Sequence, residues 1–468
     1  MKHGIKASVS GIRGVLGESL TPPVVLGYVN AYADWLGKGT VALGRDTRAH
    51  GPAVQGFVES VLMACGINVI DLGVVPTPTL LHFVRENGLE GGVVITASHN
   101  PIEWNALKLV KKGGLFLDQQ DFEAMSRRFS DEAPAGLYKA AGKIGKKIQD
   151  ETAVARHIET FVQKCNIQNI RLRKFRIAVD PGNGAGSRMD REFLVRMGCS
   201  VHMVHGEMTG GFSRPPEPRP DALTDLSALV VREHCQMGFA QDPDADRLCV
   251  VDELGNALSE EMTLALSVWS WLLPKSRKDE TERSEMDKAP VVANVSTSRM
   301  VADLARYYGH PFVMARVGEA NVLQTMSAAG AAIGGEGNGG VIYPAINACR
   351  DSFVGMFLIM DLVTTLREPL SKIVGMFHDR IAPRYAMLKD KIPVSGDLAA
   401  GMRKMRELFA KGGREIRETD IDGLRIDLDD GWVHLRESNT EPIVRVIAEA
   451  QTPARARELV ALAKSALG

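Results

Sequence analysis

Strands alternating with helices along most of the chain predict an α/β protein whose sheets are mixed and mostly parallel. Three observations carry this. Gly92–Thr96 is a continuous apolar run of the kind buried on both faces of a parallel sheet. Similar runs recur, each followed by a segment whose apolar residues have helical spacing. Near Gly375–Arg384 the alternation gives way to an α+β pattern, in which Asp429-Asp430-Gly431 separates two apolar runs as a hairpin turn would.

In order, Pro22–Leu36 predicts a helix, with Thr21 placed as N-cap and proline in the first turn. Thr40–Leu43 is a short strand ending at Gly44-Arg45-Asp46, Pro52–Ala64 a helix, and Asn68–Leu72 extended. Strand Arg176–Val179 precedes helix Arg188–Met197, and strands Gly238–Ala240 and Leu248–Val251 follow. Strand Val291–Val295 with helix Thr297–Tyr308, then strand Phe312–Ala315 with helix Ala320–Ala329, repeat the unit. The tail reads as strands Leu424–Leu428, Trp432–Leu435 and Ile443–Ala448 with a closing helix Ala454–Ala466.

A chain of 468 residues exceeds one core; at roughly 100–200 residues per domain it predicts three or four. Three stretches read as joints: the Gly/Ala/Lys-rich Ala133–Gln149, the turn-like Asp252–Ser259, and the solvated charge run Lys275–Lys288. The expected segments are 1–150, 151–255, 256–374 and 375–468, the first three sharing one α/β topology.

A formal net charge of -1 lacks the basic excess of a nucleic-acid binder, so phosphate chemistry would rest on local clusters. The six cysteines are scattered without a CxxC pair, as in a reduced cytoplasmic protein. Met1–Gly11 lacks the apolar stretch of a secretory signal. Thr263–Leu273 is far short of the roughly 20 apolar residues of a membrane span and reads as a buried helix. Neither nucleic acid nor membrane is an expected partner.

Thr96-Ala97-Ser98-His99-Asn100-Pro101 follows a buried strand, where ligands bind in parallel α/β sheets. A lone serine there is more often a turn residue, and as a nucleophile it needs a base, a metal or prior phosphorylation. Lys108 could move a proton or hold a phosphate. Asp242-Pro243-Asp244-Ala245-Asp246-Arg247 puts three carboxylates at alternate positions of a turn, suited to one hard cation such as Mg²⁺ with room for a phosphate oxygen. An EF-hand is excluded because Arg247 takes the position that needs glycine and strands flank the loop. Gly334–Gly340 would let backbone approach a ligand while Glu336 and Asn338 bond sugar hydroxyls. Arg436-Glu437-Ser438-Asn439-Thr440-Glu441-Pro442, with Arg445 beyond it, offers forked and neutral donors to a phosphate. Ser8–Gly14 holds the glycine-flanked Arg13 and is weak alone.

Together and in this order, SGIRG, TASHNP, DPDADR, GEGNGG and RESNTEP closely resemble the α-D-phosphohexomutase superfamily of phosphoglucomutases, phosphomannomutases and phosphoglucosamine mutases. The resemblance spans the chain and implies an isomerase of four domains around a central cleft, the last a phosphate-binding domain. It implies that Ser98 is a phosphoserine and that Asp242, Asp244 and Asp246 hold one Mg²⁺ with the phosphoserine oxygen. It matches Arg13, His99, Lys108 and Arg247 to acid/base and charge-stabilising positions. Glu336 and Asn338 match the sugar loop; Arg436, Ser438, Asn439, Thr440 and Arg445 match the phosphate loop. A hexose phosphate would be the substrate, a hexose bisphosphate the activator, and a monomer or homodimer the working form. Bacterial mannose/glucose enzymes typically read GEMSGH where this chain has GEGNGG, and many have Gly-His where Gly318-Glu319 stands. The GEGNGG form is more similar to archaeal-type phosphoglucosamine mutases. A metal-dependent sugar phosphatase and a non-catalytic phosphosugar-binding protein are the alternatives.

Overall fold

The computed structural model describes residues 4–130, 133–274, 288–393, 397–411, 415–437 and 443–467. The chain divides into two compact units, Met1–Trp271 with Asn338–Ile373, and Leu272–Gly337 with Val374–Gly468. Of the charge run Lys275–Lys288 expected to be a solvated loop, all but the exposed Lys288 lies outside the described residues.

In the first unit the larger sheet runs Lys6–Ser8, Gly11–Val15, Trp104–Lys111, Gly91–Ile95, Thr40–Arg45, Asn68–Val74, Lys147–Gln149. Gly91–Ile95 through Lys147–Gln149 are parallel, as crossover helices Gly51–Ala64 and Thr77–Glu86 require. The joint expected at Ala133–Gln149 therefore ends as an edge strand. Helix Pro22–Leu36 forms as expected with proline in its first turn, but Thr21 makes no side-chain capping bond.

The other half of this sheet is antiparallel. Its strands Gly11–Val15 and Trp104–Lys111 carry Arg13, Asn105 and Lys108, polar residues that hide the strand pattern in the sequence. Each is buried because it has partners; Asn105, for one, binds the His50 ring across 3.0 Å. Gly11 adopts φ +111, and a Cβ there would meet the Leu107 carbonyl oxygen at 2.9 Å, so the strand crossing admits only glycine.

The smaller sheet orders Ser200–Met203, Arg176–Asp180, Met237–Gln241 and Leu248–Asp252, with only the last pair antiparallel. The Asp242–Arg247 segment is the turn of that last hairpin. Helix Asp190–Arg196 is shorter than expected because Ala185–Arg188 forms a 3-10 turn. Helix Glu260–Leu272 is buried as expected; its Thr263 hydroxyl donates to the Leu248 carbonyl at 2.8 Å, and Ser270 to Asp361 at 2.8 Å.

In the second unit Val291–Asn294 lies parallel to both Phe312–Ala315 and Ile333–Glu336. Helix Arg299–Tyr307 starts where Ser298 Oγ accepts from Met300 N–H, and helix Glu319–Ala329 stops at the left-handed Gly330. The tail is an antiparallel sheet, ordered Ala386–Pro393, Ile443–Ala450, Gly431–Glu437, Leu424–Leu428, Arg417–Thr419. Helices Leu398–Ala410 and Pro453–Leu467 bury Met405, Phe409, Leu459 and Val460 against Leu424, Ile426, Val433 and Val446. Burial contributes roughly 1.5–3 kcal/mol for each large apolar side chain. Trp432 is fully buried, with the Arg425 guanidinium 4.1 Å from its ring and its Nε1 donating to Glu449 at 2.8 Å.

Candidate active site

Ser98 stands just past the carboxyl end of strand Gly91–Ile95, 3% exposed and at φ 49. A left-handed non-glycine residue costs on the order of 1–3 kcal/mol, so its surroundings must hold it there. Thr96 Oγ1 accepts from Ser98 N–H at 2.9 Å and donates to Asp46 at 2.7 Å. Arg48, fully buried, fans its guanidinium over the loop. It donates to the carbonyls of Ser98 (2.8 Å), Asn100 (2.7 Å), Pro101 (2.5 Å) and Trp104 (3.0 Å), and Nε binds Asp46 at 3.1 Å. One planar cation thus satisfies carbonyls that a tight buried turn would strand.

From this turn Ser98 Oγ donates to Asp242 Oδ2 at 2.8 Å. Asp242, Asp244 and Asp246 are fully buried, with one carboxylate oxygen each within 4.8 Å of the others. Charges about 4 Å apart interact by roughly 4 kcal/mol at an effective dielectric near 20, so three bare carboxylates require cations. Lys108 Nζ lies 2.6 Å from Asp244 Oδ2 and 3.3 Å from Asp246 Oδ2, and Arg350 Nη2 2.6 Å from Asp246 Oδ2. Thr77 adds its hydroxyl to Asp244 Oδ2 at 2.6 Å and its N–H to the Asp244 carbonyl at 2.9 Å. The turn itself is fixed by left-handed Ala245 and by Asp242 Oδ1, which accepts from the N–H groups of Asp246 and Arg247, both at 3.1 Å.

The carboxylates are not equivalent. Burial, then the charges of Asp246 and Asp244, push Asp242 well above the usual carboxylate range. Burial also penalises Asp246, but Arg350, Lys108 and Arg247 outweigh it and hold that group low. Lys108 stays charged despite burial because Asp244 and Asp246 raise it. Asp244 Oδ1 and Asp246 Oδ1 are buried with no hydrogen-bond partner among the described residues. Two orphaned carboxylate oxygens beside the Asp242–Ser98 pair fit an oxygen-ligated divalent cation such as Mg²⁺.

Arg13, His99 and Arg247 border the same turn. Arg13 donates to Asn100 Oδ1 at 3.0 Å and the Ser10 carbonyl at 2.8 Å; burial, then neighbouring Arg247, lower it to about 10. His99 Nδ1 lies 3.5 Å from Ser98 Oγ; burial, Arg247 and Arg13 push this imidazole well below its ordinary value. Arg247 binds Glu217 at 3.0 Å. Asn338 belongs to this unit too, and its Oδ1 accepts from Gly340 N–H at 3.2 Å. Next to it the Gly339 carbonyl accepts from Leu248 N–H at 3.0 Å, at a φ of +85 where a Cβ would sit 2.2 Å from the Leu248 carbonyl oxygen. These glycines seat the loop against the strand that follows the carboxylates.

Glu336, Arg436 and Arg445 belong to the second unit. Glu336 Oε1 accepts from Asn294 Nδ2 at 2.8 Å and Gly318 N–H at 2.9 Å. Arg436 and Arg445 are cross-strand partners, and burial lowers Arg436, with Asp422 3.9 Å away opposing the effect. Ser438, Asn439 and Thr440 lie outside the described residues. The sequence reading missed Arg48, Thr77 and Arg350. Arg48 had a signal, a basic residue just beyond a strand end at Gly44-Arg45-Asp46. Thr77 and Arg350 had none, being single residues far from the loop they bind.

Four descriptions of the phosphoglucomutase/phosphomannomutase family match in succession: alpha/beta/alpha domain I at 4–135, domain II at 155–255, domain III at 272–379 and the C-terminal domain at 394–464. A probable phosphoglucosamine mutase of Methanopyrus kandleri is 34% identical, over 96% of this chain and 95% of its own length. A phosphoglucomutase/phosphomannomutase of Thermococcus kodakarensis is 32% identical, over 97% and 96%. The crystal structure of a Burkholderia thailandensis protein of the phosphoglucomutase/phosphomannomutase family superposes with a TM-score of 0.81 at 25% identity, covering 99% of this chain and 96% of that one. No described helix is long and apolar enough to cross a membrane.

Proposed function

Because this chain belongs to the phosphoglucomutase/phosphomannomutase family and is therefore an isomerase, we propose that it interconverts glucosamine 1-phosphate and glucosamine 6-phosphate through a phosphoserine at Ser98. The observation that carries this reading is the buried Ser98 Oγ, 2.8 Å from Asp242 in a loop where Asp244 and Asp246 each keep an oxygen without a hydrogen-bond partner. The sugar is read from the GEGNGG loop and from the name of the Methanopyrus kandleri relative. The four segments 1–150, 151–255, 256–374 and 375–468 would each bring one loop to the reaction.

In this mechanism phospho-Ser98 gives its phosphoryl group to the free hydroxyl of a bound hexose phosphate, leaving a bisphosphate. That intermediate reorients and returns its other phosphate to Ser98. Mg²⁺ held by Asp242, Asp244 and Asp246, when bound, supplies positive charge against the transferring phosphoryl oxygens. Lys108, kept cationic by its neighbours Asp244 and Asp246, would add positive charge to the site, and Arg13 and Arg247 would add more. His99, its imidazole pushed below the ordinary value by burial and its Nδ1 3.5 Å from Ser98 Oγ, would exchange a proton there. Arg436 and Arg445, with Ser438, Asn439 and Thr440, would hold the phosphate that is not reacting. Glu336 and Asn338 would read the sugar hydroxyls. Holding the acceptor hydroxyl in line supplies about 7–11 kcal/mol in favourable cases.

The test is a side-by-side 1-phosphate to 6-phosphate assay on glucosamine, mannose and glucose, primed with hexose bisphosphate. The expected result is isomerisation of all three with the highest kcat/KM for glucosamine, and little free phosphate. Phosphate release without isomerisation would indicate a sugar phosphatase instead. A preference for mannose or glucose is the second reading, favoured by the name of the Thermococcus kodakarensis relative.

A further inference from the structure

Apart from the carboxylate loop, a buried polar cluster joins three segments of the first unit. Thr79 Oγ1 lies 3.0 Å from His157 Nδ1, and His157 Nε2 lies 3.0 Å from Asp351 Oδ2 without the alignment of a hydrogen bond. Asn347 Nδ2 braces the same groups, donating to Asp351 Oδ2 at 3.1 Å and to the Pro78 carbonyl at 2.8 Å. His82 stacks on His157 with ring centroids 4.7 Å apart and binds Thr160 Oγ1 at 2.7 Å. Among the described residues, none of these hydrogen bonds or ion pairs involves Ser98 or a carboxylate of the loop.

Both ends of the cluster lead back to that loop. Thr79 shares the first turn of its helix with Thr77, which binds Asp244 through its hydroxyl and its N–H. Asp351 lies between Arg350, which binds Asp246 Oδ2 at 2.6 Å, and Ser352, whose hydroxyl donates to the Ala245 carbonyl at 2.7 Å. Side-chain contacts and short runs of backbone together close a ring: Asp244, Thr77, Thr79, His157, Asp351, Arg350, Asp246. A buried polar network of this kind fixes one arrangement of the segments it joins. Its role is better sought in geometry, as for the outer partners that orient metal ligands.

We infer that His157, bridging Thr79 and Asp351, is a positioning residue that sets the spacing of Asp244 and Asp246 and so tunes divalent-cation affinity. The inference rests on the reading of the three aspartates as a metal site. Its test is calorimetric titration of Mg²⁺ into the full-length protein, paired with thermal unfolding in EDTA. Thr79→Val and His157→Phe are expected to weaken Mg²⁺ binding about tenfold. Thr79→Ser, which restores the hydroxyl, should stay within twofold of the unaltered protein. Thr79→Val removes a single hydroxyl at nearly constant volume, so the question survives if His157→Phe fails to fold. Affinity within twofold of the unaltered protein in Thr79→Val would overturn the inference, whatever the melting temperature. Absence of Mg²⁺ binding by the unaltered protein would overturn both the inference and the metal-site reading beneath it.

Discussion

Ser98 and Asp242 stand 144 residues apart in sequence, yet the serine Oγ donates a 2.8 Å hydrogen bond to the aspartate. The carboxyl ends of two sheets therefore meet at one hydroxyl. Replacing it should separate chemistry from folding. Ser98→Ala is expected to lower turnover on the order of 10³-fold or more with every sugar. Its unfolding free energy should shift by about 1 kcal/mol, because Asp242 keeps two N–H donors. Near-normal rates in this variant would sink the phosphoserine assignment.

Arg48 is expected to matter for stability more than its position suggests. Removing one partner of a buried charge pair costs about 3–5 kcal/mol, and four loop carbonyls would lose their donor as well. Urea unfolding of Arg48→Met should register a loss of at least this size. Arg48→Lys should fall between, since one ammonium cannot span four acceptors. Equal stability of all three proteins would show that the fan is ornamental.

Mg²⁺ at about 100 times its Kd should raise the unfolding free energy by about 2.7 kcal/mol, and EDTA should reverse the gain. Asp244→Asn and Asp246→Asn are expected to lose the Mg²⁺-dependent shift in melting temperature. A shift that persists in both variants would place the cation elsewhere.

His434, in the second unit, predicts a pH dependence. Its Nδ1 meets Ser296 Oγ at 3.0 Å, its Nε2 meets the Asp422 carbonyl at 2.6 Å, and burial lowers it to about 4. The unfolded chain, near 6.5, takes up a proton before the folded one does. The contribution is therefore fully present above about pH 6.5 and is lost as pH falls towards 4, by roughly 3 kcal/mol in all. Urea unfolding between pH 4 and 7 should show His434→Gln with a flatter profile than the unaltered protein. Parallel profiles would exclude His434 as the source.

Legibility followed sequence separation. The Asp242–Arg247 turn was readable because its chemistry lies within six residues, and the parallel strands because burial on both faces leaves an unbroken apolar run. Gly11–Val15 and Trp104–Lys111 were not, because a buried strand that carries Arg13, Asn105 and Lys108 looks polar until their partners are known. Thr77 and Arg350 reach the aspartates across 167 and 104 residues, and nothing local marks them. Glu336 and Asn338, two positions apart in one motif, fall in different compact units, a division that glycine content does not announce.

Lys108 and Arg350 converge on a single oxygen, Asp246 Oδ2. Each softens the loss of the other, so the penalties for replacing them will not sum. Evolutionary drift at position 108 is then conditional on what occupies 350, and a substitution tolerated in one relative can fail when transplanted into another.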